Sequence, residues 1–233
     1  MTRVKICGIK DVQTALTASE SGADFLGFVL AQSIRQVTPE NVRSFRLALN
    51  FLKTRPLTVG VFVNAPVRYI NHVADYCQLD WVQLSGNESW AYCQEIERPF
   101  IKVVHISERR TLSDLLQEID EGYQTIPGRF ICMLDTASPG THGGTGLTFN
   151  WNIAREITLR YPVIVAGGLN SNNVGRLIKR VNPWGVDVSS GVENNGEKDP
   201  DKIRAFISAA REAEKETTSN DGFKYHEDQM GRT

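Results

Sequence analysis

Residues 57–84, LTVGVFVNAPVRYINHVADYCQLDWVQL, hold one complete structural unit. Leu57 to Val63 is a β-branched apolar run of strand length, and Trp81 to Leu84 is a second. Between them, Pro66 to Cys77 is long enough for a helix and amphipathic, with Ala65-Pro66 able to open it by placing proline in the first turn. A strand, a helix and a further strand in this order predict a βαβ unit, whose two strands lie parallel and whose connection is right-handed.

The same alternation runs through the chain in both directions. Strands are expected at Val4 to Cys7, Phe25 to Leu30, Phe100 to Ile106, Phe130 to Leu134, Val163 to Ala166 and Gly185 to Val188, which with the first two makes eight. Helices are expected at Asp11 to Ser21, Pro39 to Leu52, Glu88 to Ile96, Leu112 to Glu121, Thr148 to Leu159, Asn173 to Val181 and Pro200 to Lys215. Eight βα units within 233 residues suit a single (β/α)₈ barrel, domain 1–215. An open doubly wound sheet is disfavoured because the first strand-helix turn, Cys7-Gly8-Ile9-Lys10-Asp11, lacks the GxGxxG pattern of a dinucleotide site. Residues 216–233 are polar, with little apolar surface to bury, and read as a disordered tail.

Composition narrows the function. With 26 basic and 27 acidic residues the net charge of -1 offers no field that would gather nucleic acid or anionic lipid. No apolar run approaches the roughly 20 residues of a membrane span, and the start Met1-Thr2-Arg3-Val4-Lys5 has no signal-peptide character, so a cytoplasmic protein is expected. Cys7, Cys77, Cys93 and Cys132 form no CxxC pair; they read as free thiols rather than a zinc site or disulfide framework. Nucleic acid, membrane and a zinc site are therefore not expected as partners, and the chain is taken as a monomer acting on a small molecule.

Barrels place their ligands beyond the C-terminal strand ends. Three glycine-rich turns lie there: His142-Gly143-Gly144-Thr145-Gly146, Ala166-Gly167-Gly168-Leu169-Asn170 and Val188-Ser189-Ser190-Gly191-Val192. Each by itself can be a tight turn and no more. Together, two of them after strands seven and eight, they suit a phosphate held by backbone N–H groups. Cys7 ends strand one and is either a small buried hydrophobe or a reactive thiol. Lys5 shares its strand face by the period of two, as a neighbour that favours the thiolate or as one half of a structural ion pair. Asp135 ends strand six, as a turn cap or as an acid. Asp187 lies inside strand eight, where a buried carboxylate needs a partner. Arg35, in Ser33-Ile34-Arg35 after strand two, has the planar fork that suits a carboxylate. His105 and His142, near strand ends, are further candidate bases; His72, within a helix, and His226, in the tail, are not.

In order and spacing these elements resemble the phosphoribosylanthranilate isomerase family of tryptophan biosynthesis, from Val4 to about Ala210. The resemblance is carried by Lys5-Ile6-Cys7-Gly8, Val59-Gly60-Val61-Phe62-Val63-Asn64, Leu134-Asp135-Thr136, Gly143-Gly144-Thr145-Gly146, Ala166-Gly167-Gly168-Leu169, and Asp187-Val188-Ser189-Ser190-Gly191-Val192-Glu193 before Lys198-Asp199. It implies a cofactor-free Amadori rearrangement with Cys7 as general base and Asp135 as general acid. It further implies Arg35 on the anthranilate carboxylate, Asp187 beside the catalytic pair, and the phosphate on the backbone around Gly144, Thr145, Gly168, Ser190 and Gly191. For those roles the site should lower the Cys7 pKa and raise that of Asp135. In two places the chain departs from the family pattern. Ser85 follows Gln83-Leu84 where histidine is usual, so either activity is reduced at this substrate-facing position or another group such as His105 substitutes. Asn150 stands where aspartate is usual, in the element that opens the following helix. The related histidine-pathway isomerase would have a carboxylate where Cys7 stands, and a barrel that only binds phosphate would not need both Cys7 and Asp135.

Overall fold

The computed structural model describes residues 1–107, 109–136 and 150–230, with the side chains of the last helix described to Glu216. Eight parallel strands close into a barrel in chain order: β1 (Arg3–Cys7), β2 (Phe25–Val29), β3 (Leu57–Phe62), β4 (Trp81–Leu84), β5 (Phe100–Ile106), β6 (Phe130–Thr136), β7 (Val163–Val165) and β8 (Gly185–Val188). The helices between and after them are α1 (Val12–Glu20), α2 (Pro39–Leu49), α3 (Val67–Tyr76), α4 (Trp90–Gln94), α5 (Leu112–Thr125), α6 (Trp151–Thr158), α7 (Val174–Val181) and α8 (Pro200–Met230).

Helix starts follow side-chain capping. Thr38 caps α2 in a reciprocal box with Asn41, and Pro39 occupies the first turn. Thr111 and Asp114 form the same box on α5, and Asn150 caps α6 through the Asn152 N–H. Asparagine caps about as well as aspartate, so the departure at position 150 is accommodated. Pro66 stands at the cap of α3, one position ahead of the first turn expected for it. Helix α4 is shorter than expected because Glu88 is drawn off to the loops, where it accepts from the N–H groups of Asn64 and Gly86, while Ser89 caps the helix. At the other end of the chain, α8 continues past the expected Lys215 to Met230, so the helix runs on through residues expected as a disordered tail.

Strand parity divides the core into two. Residues such as Val4, Ile6, Leu26, Phe28, Val186 and Val188 face the helices and form the larger core. Phe25, Val59, Ile101, Val103, Ile131, Met133, Ile164 and Ala166 fill the barrel interior. Its base is plugged by Trp81 and Trp184 around Phe25, with the Arg3 guanidinium 4.5 Å over the Trp184 ring. The seam is clasped from outside by Arg211 of α8, which donates to the carbonyls of Thr2 and Gly22 and to Asp24. On β5 and β6 the inward series turns from apolar to polar at the C-terminal end, at His105 and Asp135, and that end of the barrel holds the site.

Candidate active site

A cavity of about 790 Å³ opens at the C-terminal mouth of the barrel, lined by Cys7, Arg35, Gln83, Ser85, His105, Asp135, Asp187 and Ser189 among apolar Val29, Val61, Val63 and Val103. Each polar residue continues the inward parity of its strand: Lys5 and Cys7 on β1, Gln83 and Ser85 on and just after β4, His105 on β5, Asp135 on β6 and Asp187 on β8. The cavity is of metabolite size, and its few polar groups converge on a mostly apolar lining.

Lys5 and Asp187 are register partners on adjacent strands, and the Lys5 ammonium donates to Asp187 Oδ1 at 2.7 Å. The alternatives left by the sequence are both realised: Lys5 is in a buried ion pair, and it also lies against the Cys7 thiol. Burial works against the ammonium, but Asp187 and Cys7 outweigh it and hold the Lys5 pKa above its ordinary value. Cys7 itself is only 7% exposed. Burial pushes its thiol pKa up and Asp187 adds to that, against the opposing pull of Lys5 and Lys198. The expectation of a lowered thiol is therefore corrected for the protein without ligand, because desolvation outweighs the nearby cations.

Asp135 behaves as expected. Burial and the Asp187 carboxylate push its pKa up to about 6, against the Thr136 N–H that donates to it at 2.8 Å and the Lys5 charge. Cys7 and Asp135 lie three strands apart around the mouth, with Asp187 on β8 between them.

Arg35 reaches the cavity from the loop after β2, but its Nε and Nη2 are held by Glu193 at 2.7 and 2.8 Å. Its stem packs over Gly8. A side chain on Gly8 would start 2.7 Å from Arg35 Cδ, and φ of +81° there also favours glycine. Glu193 and Lys198 were missed as site residues. They belong to a small hairpin, β9 (Glu193–Asn194) and β10 (Glu197–Lys198), which follows a short 3₁₀ turn over Ser190–Val192. Asn195-Gly196, both at positive φ, was the available signal, since this dipeptide is the usual two-residue hairpin turn.

Gly168 and the Ser190-Gly191 turn come together at the ends of β7 and β8. The ideal Cβ of residue 191 would fall 1.8 Å from the Leu169 carbonyl oxygen, so glycine is required for the two turns to touch. Gly144, Thr145 and His142 lie outside the described residues. Ser85 is buried; its Oγ lies 2.9 Å from Gln83 Nε2, and its carbonyl accepts from His105 Nε2 at 3.1 Å. The structure thus puts an imidazole on the wall beside Ser85, supplied by the neighbouring strand. His72 stacks on Tyr76 on α3 and does not line the cavity.

Among the described residues, no cluster of three or more His, Cys, Asp or Glu side chains could hold a metal ion, and no helix is long and apolar enough to cross a membrane.

Comparison with known proteins supplies a separate line. The family model described as N-(5'phosphoribosyl)anthranilate (PRA) isomerase matches residues 4–209. The N-(5'-phosphoribosyl)anthranilate isomerase of Dehalococcoides mccartyi is 44% identical over 92% of this chain and 98% of its own. The crystal structure of phosphoribosyl anthranilate isomerase from Thermotoga maritima superposes with a TM-score of 0.77 at 38% identity, covering 91% of this chain and 99% of that one. A phosphoribosyl anthranilate isomerase solved in complex with reduced 1-(o-carboxyphenylamino)-1-deoxyribulose 5-phosphate gives 0.74 at 36% identity, with the same coverage.

Proposed function

Because the chain belongs to the N-(5'-phosphoribosyl)anthranilate isomerase family, we propose that its Cys7 and Asp135 are the base and acid of that reaction. The enzyme is an aldose-ketose isomerase of tryptophan biosynthesis, converting N-(5'-phosphoribosyl)anthranilate into 1-(2-carboxyphenylamino)-1-deoxyribulose 5-phosphate. The observation that carries the residue assignment is the meeting of two strand-end groups on one cavity: a carboxyl raised to about 6, and a buried thiol against whose desolvation two ammonium groups pull.

The chemistry divides between them. Asp135 delivers its proton to the furanose ring oxygen while the anilino nitrogen pushes into the C1–O bond, which breaks to leave a protonated Schiff base. The Cys7 thiolate then takes the C2 proton, and the released electron pair forms the C1–C2 double bond of an enolamine and neutralises the nitrogen. Gain of a proton at C1 and loss of one from the C2 hydroxyl complete the ketose. Asp187 holds Lys5 against Cys7 and, by its own charge, helps keep Asp135 protonated.

Arg35 takes the anthranilate carboxylate, and the backbone around Gly168, Ser190 and Gly191, with Gly144 and Thr145 of the preceding turn, takes the phosphate. Ser85, with His105 beside it, lines the substrate wall at β4. The assay is the loss of anthranilate fluorescence when the protein meets substrate generated in situ. Arg35→Ala should raise KM about tenfold, the loss of one charge-assisted contact, and leave the inhibition constant of inorganic phosphate unchanged. An unchanged KM removes Arg35 from the carboxylate end of the site; a changed phosphate constant shows that the two ends are not separate.

For domain and assembly, the proposal is a monomeric barrel complete by about residue 215. The most exposed apolar side chains, Met1, Ile34, Leu47, Phe51 and Leu159, are scattered over the N-terminus, the β2 loop, the end of α2 and the end of α6. A chain ending at residue 216 should keep full activity and sediment as a single protomer. Loss of activity, or twice the protomer mass, would overturn the respective half of this proposal.

A further inference from the structure

Arg35 enters the site already gripped by a carboxylate, which poses a problem of charge. A guanidinium balanced by a buried Glu193 has little attraction left for a second carboxylate. Lys198 alters the count. Its ammonium lies 2.8 Å from Glu193 Oε1, 2.9 Å from the Ser189 carbonyl and 3.3 Å from Ser189 Oγ, with the side chain only 3% exposed. Glu193 is therefore shared by two cations, and the trio Arg35, Glu193 and Lys198 carries a net charge of +1 at the wall of the cavity. Both cations hold Glu193 down to a pKa of about 2 against its burial.

The same excess charge lies beside the thiol. Four groups face Cys7: Lys5 on its own strand, Asp187 on β8, Arg35 from the β2 loop and Lys198 on β10. Lys5 is matched by Asp187 at 2.7 Å. Glu193 matches one of the other two cations, so one positive charge is left over. Burying an ammonium costs solvation, and a buried ion pair is a weak device for stability, so packing of a six-residue hairpin gives a poor reason for a lysine here.

We infer that Lys198 is a positioning residue for the isomerisation: by offsetting Glu193 it frees the Arg35 charge for the substrate carboxylate, and by its own charge it favours the Cys7 thiolate. The inference rests on the reading of Cys7 as base and Arg35 as carboxylate contact. Lys198 touches neither the substrate carboxylate nor the reacting carbons in this scheme; it acts through its two neighbours.

The test uses the full-length protein and reads the thiol directly, by the pH dependence of Cys7 alkylation with iodoacetamide, corrected by the Cys7→Ser background from Cys77, Cys93 and Cys132. Lys198→Met should move the thiol titration upward by roughly one pH unit and raise KM about tenfold. Lys198→Arg, which keeps the charge, should restore both. Glu193→Gln should move the titration the opposite way, downward, because it leaves Lys198 uncompensated. A role as a mere peg for the hairpin predicts no such opposed pair. An unmoved titration in folded Lys198→Met overturns the inference, as does a shift of the same sign in Glu193→Gln. If Lys198→Met does not fold, the Glu193→Gln titration decides: a downward shift supports the inference, and no shift or an upward one ends it. The thiol is read without substrate, so this failure stays distinct from that of the base assignment, which would show as Cys7→Ser keeping its full rate.

Discussion

Asp135→Asn is expected to lose about 10²- to 10⁴-fold in kcat, the usual worth of a general acid, and at the same time to melt at a higher temperature above pH 6. Both effects have one cause. Burial and the Asp187 charge raise the Asp135 carboxyl from 3.8 to about 6, so the folded protein holds this proton more tightly than the unfolded chain does. The stabilisation from that proton is complete below pH 3.8 and is lost as pH rises through 6; at neutral pH the ionised carboxylate is a burden to the fold. Asparagine stays neutral and can still accept from the Thr136 N–H. The gain should be on the order of 1–2 kcal/mol, discounted from the full shift because the group is partly exposed. Thermal melts at pH 4 and pH 7.5, beside the fluorescence assay, decide it. A variant that is inactive but no more stable at pH 7.5 would deny the strained carboxyl, and one that keeps its rate would deny the acid.

Cys7→Ser should cost a comparable 10²- to 10⁴-fold in kcat, with KM and melting temperature close to those of the parent. Serine has nearly the size of cysteine, so the packed end of β1 should hold. Its hydroxyl is a far weaker acid than a thiol, and neither Lys5 nor Lys198 can bring an alkoxide within reach at neutral pH. The raised thiol pKa of the ligand-free site means that thiolate with protonated Asp135 is a minor form there, and the two groups titrate as a pair. The kcat/KM profile of the parent should therefore climb through about pH 6 and hold into the alkaline range until the thiol ionises. Full activity in Cys7→Ser would transfer the base to another wall of the cavity, which His105 also lines.

Much of this was legible before any coordinates. Strand parity is local: in Lys5-Ile6-Cys7, Ile101 to His105 and Met133 to Asp135 the inward residue is every second one, and on β5 and β6 the position where that inward series turns polar marks the mouth of the barrel. Helix boundaries were equally local where a cap set them, as at Thr38 and Thr111. They were less so where a side chain had a distant use, as with Glu88, which leaves its own helix to bind the loops of β3 and β4.

The sequence by itself determined the eight-unit order, the barrel, the family and the strand-end residues, because each rests on a periodicity or a motif of neighbouring residues. Tertiary structure alone decided what surrounds those residues. It paired Lys5 with Asp187 across the seam of β1 and β8, turned the thiol pKa upward through burial, brought His105 next to Ser85, and tied Arg35 to Glu193 and Lys198, which lie 158 residues or more along the chain from it. Solvation and Coulomb energy depend on distance in space, and closing the barrel is what converts distance along the chain into distance in space.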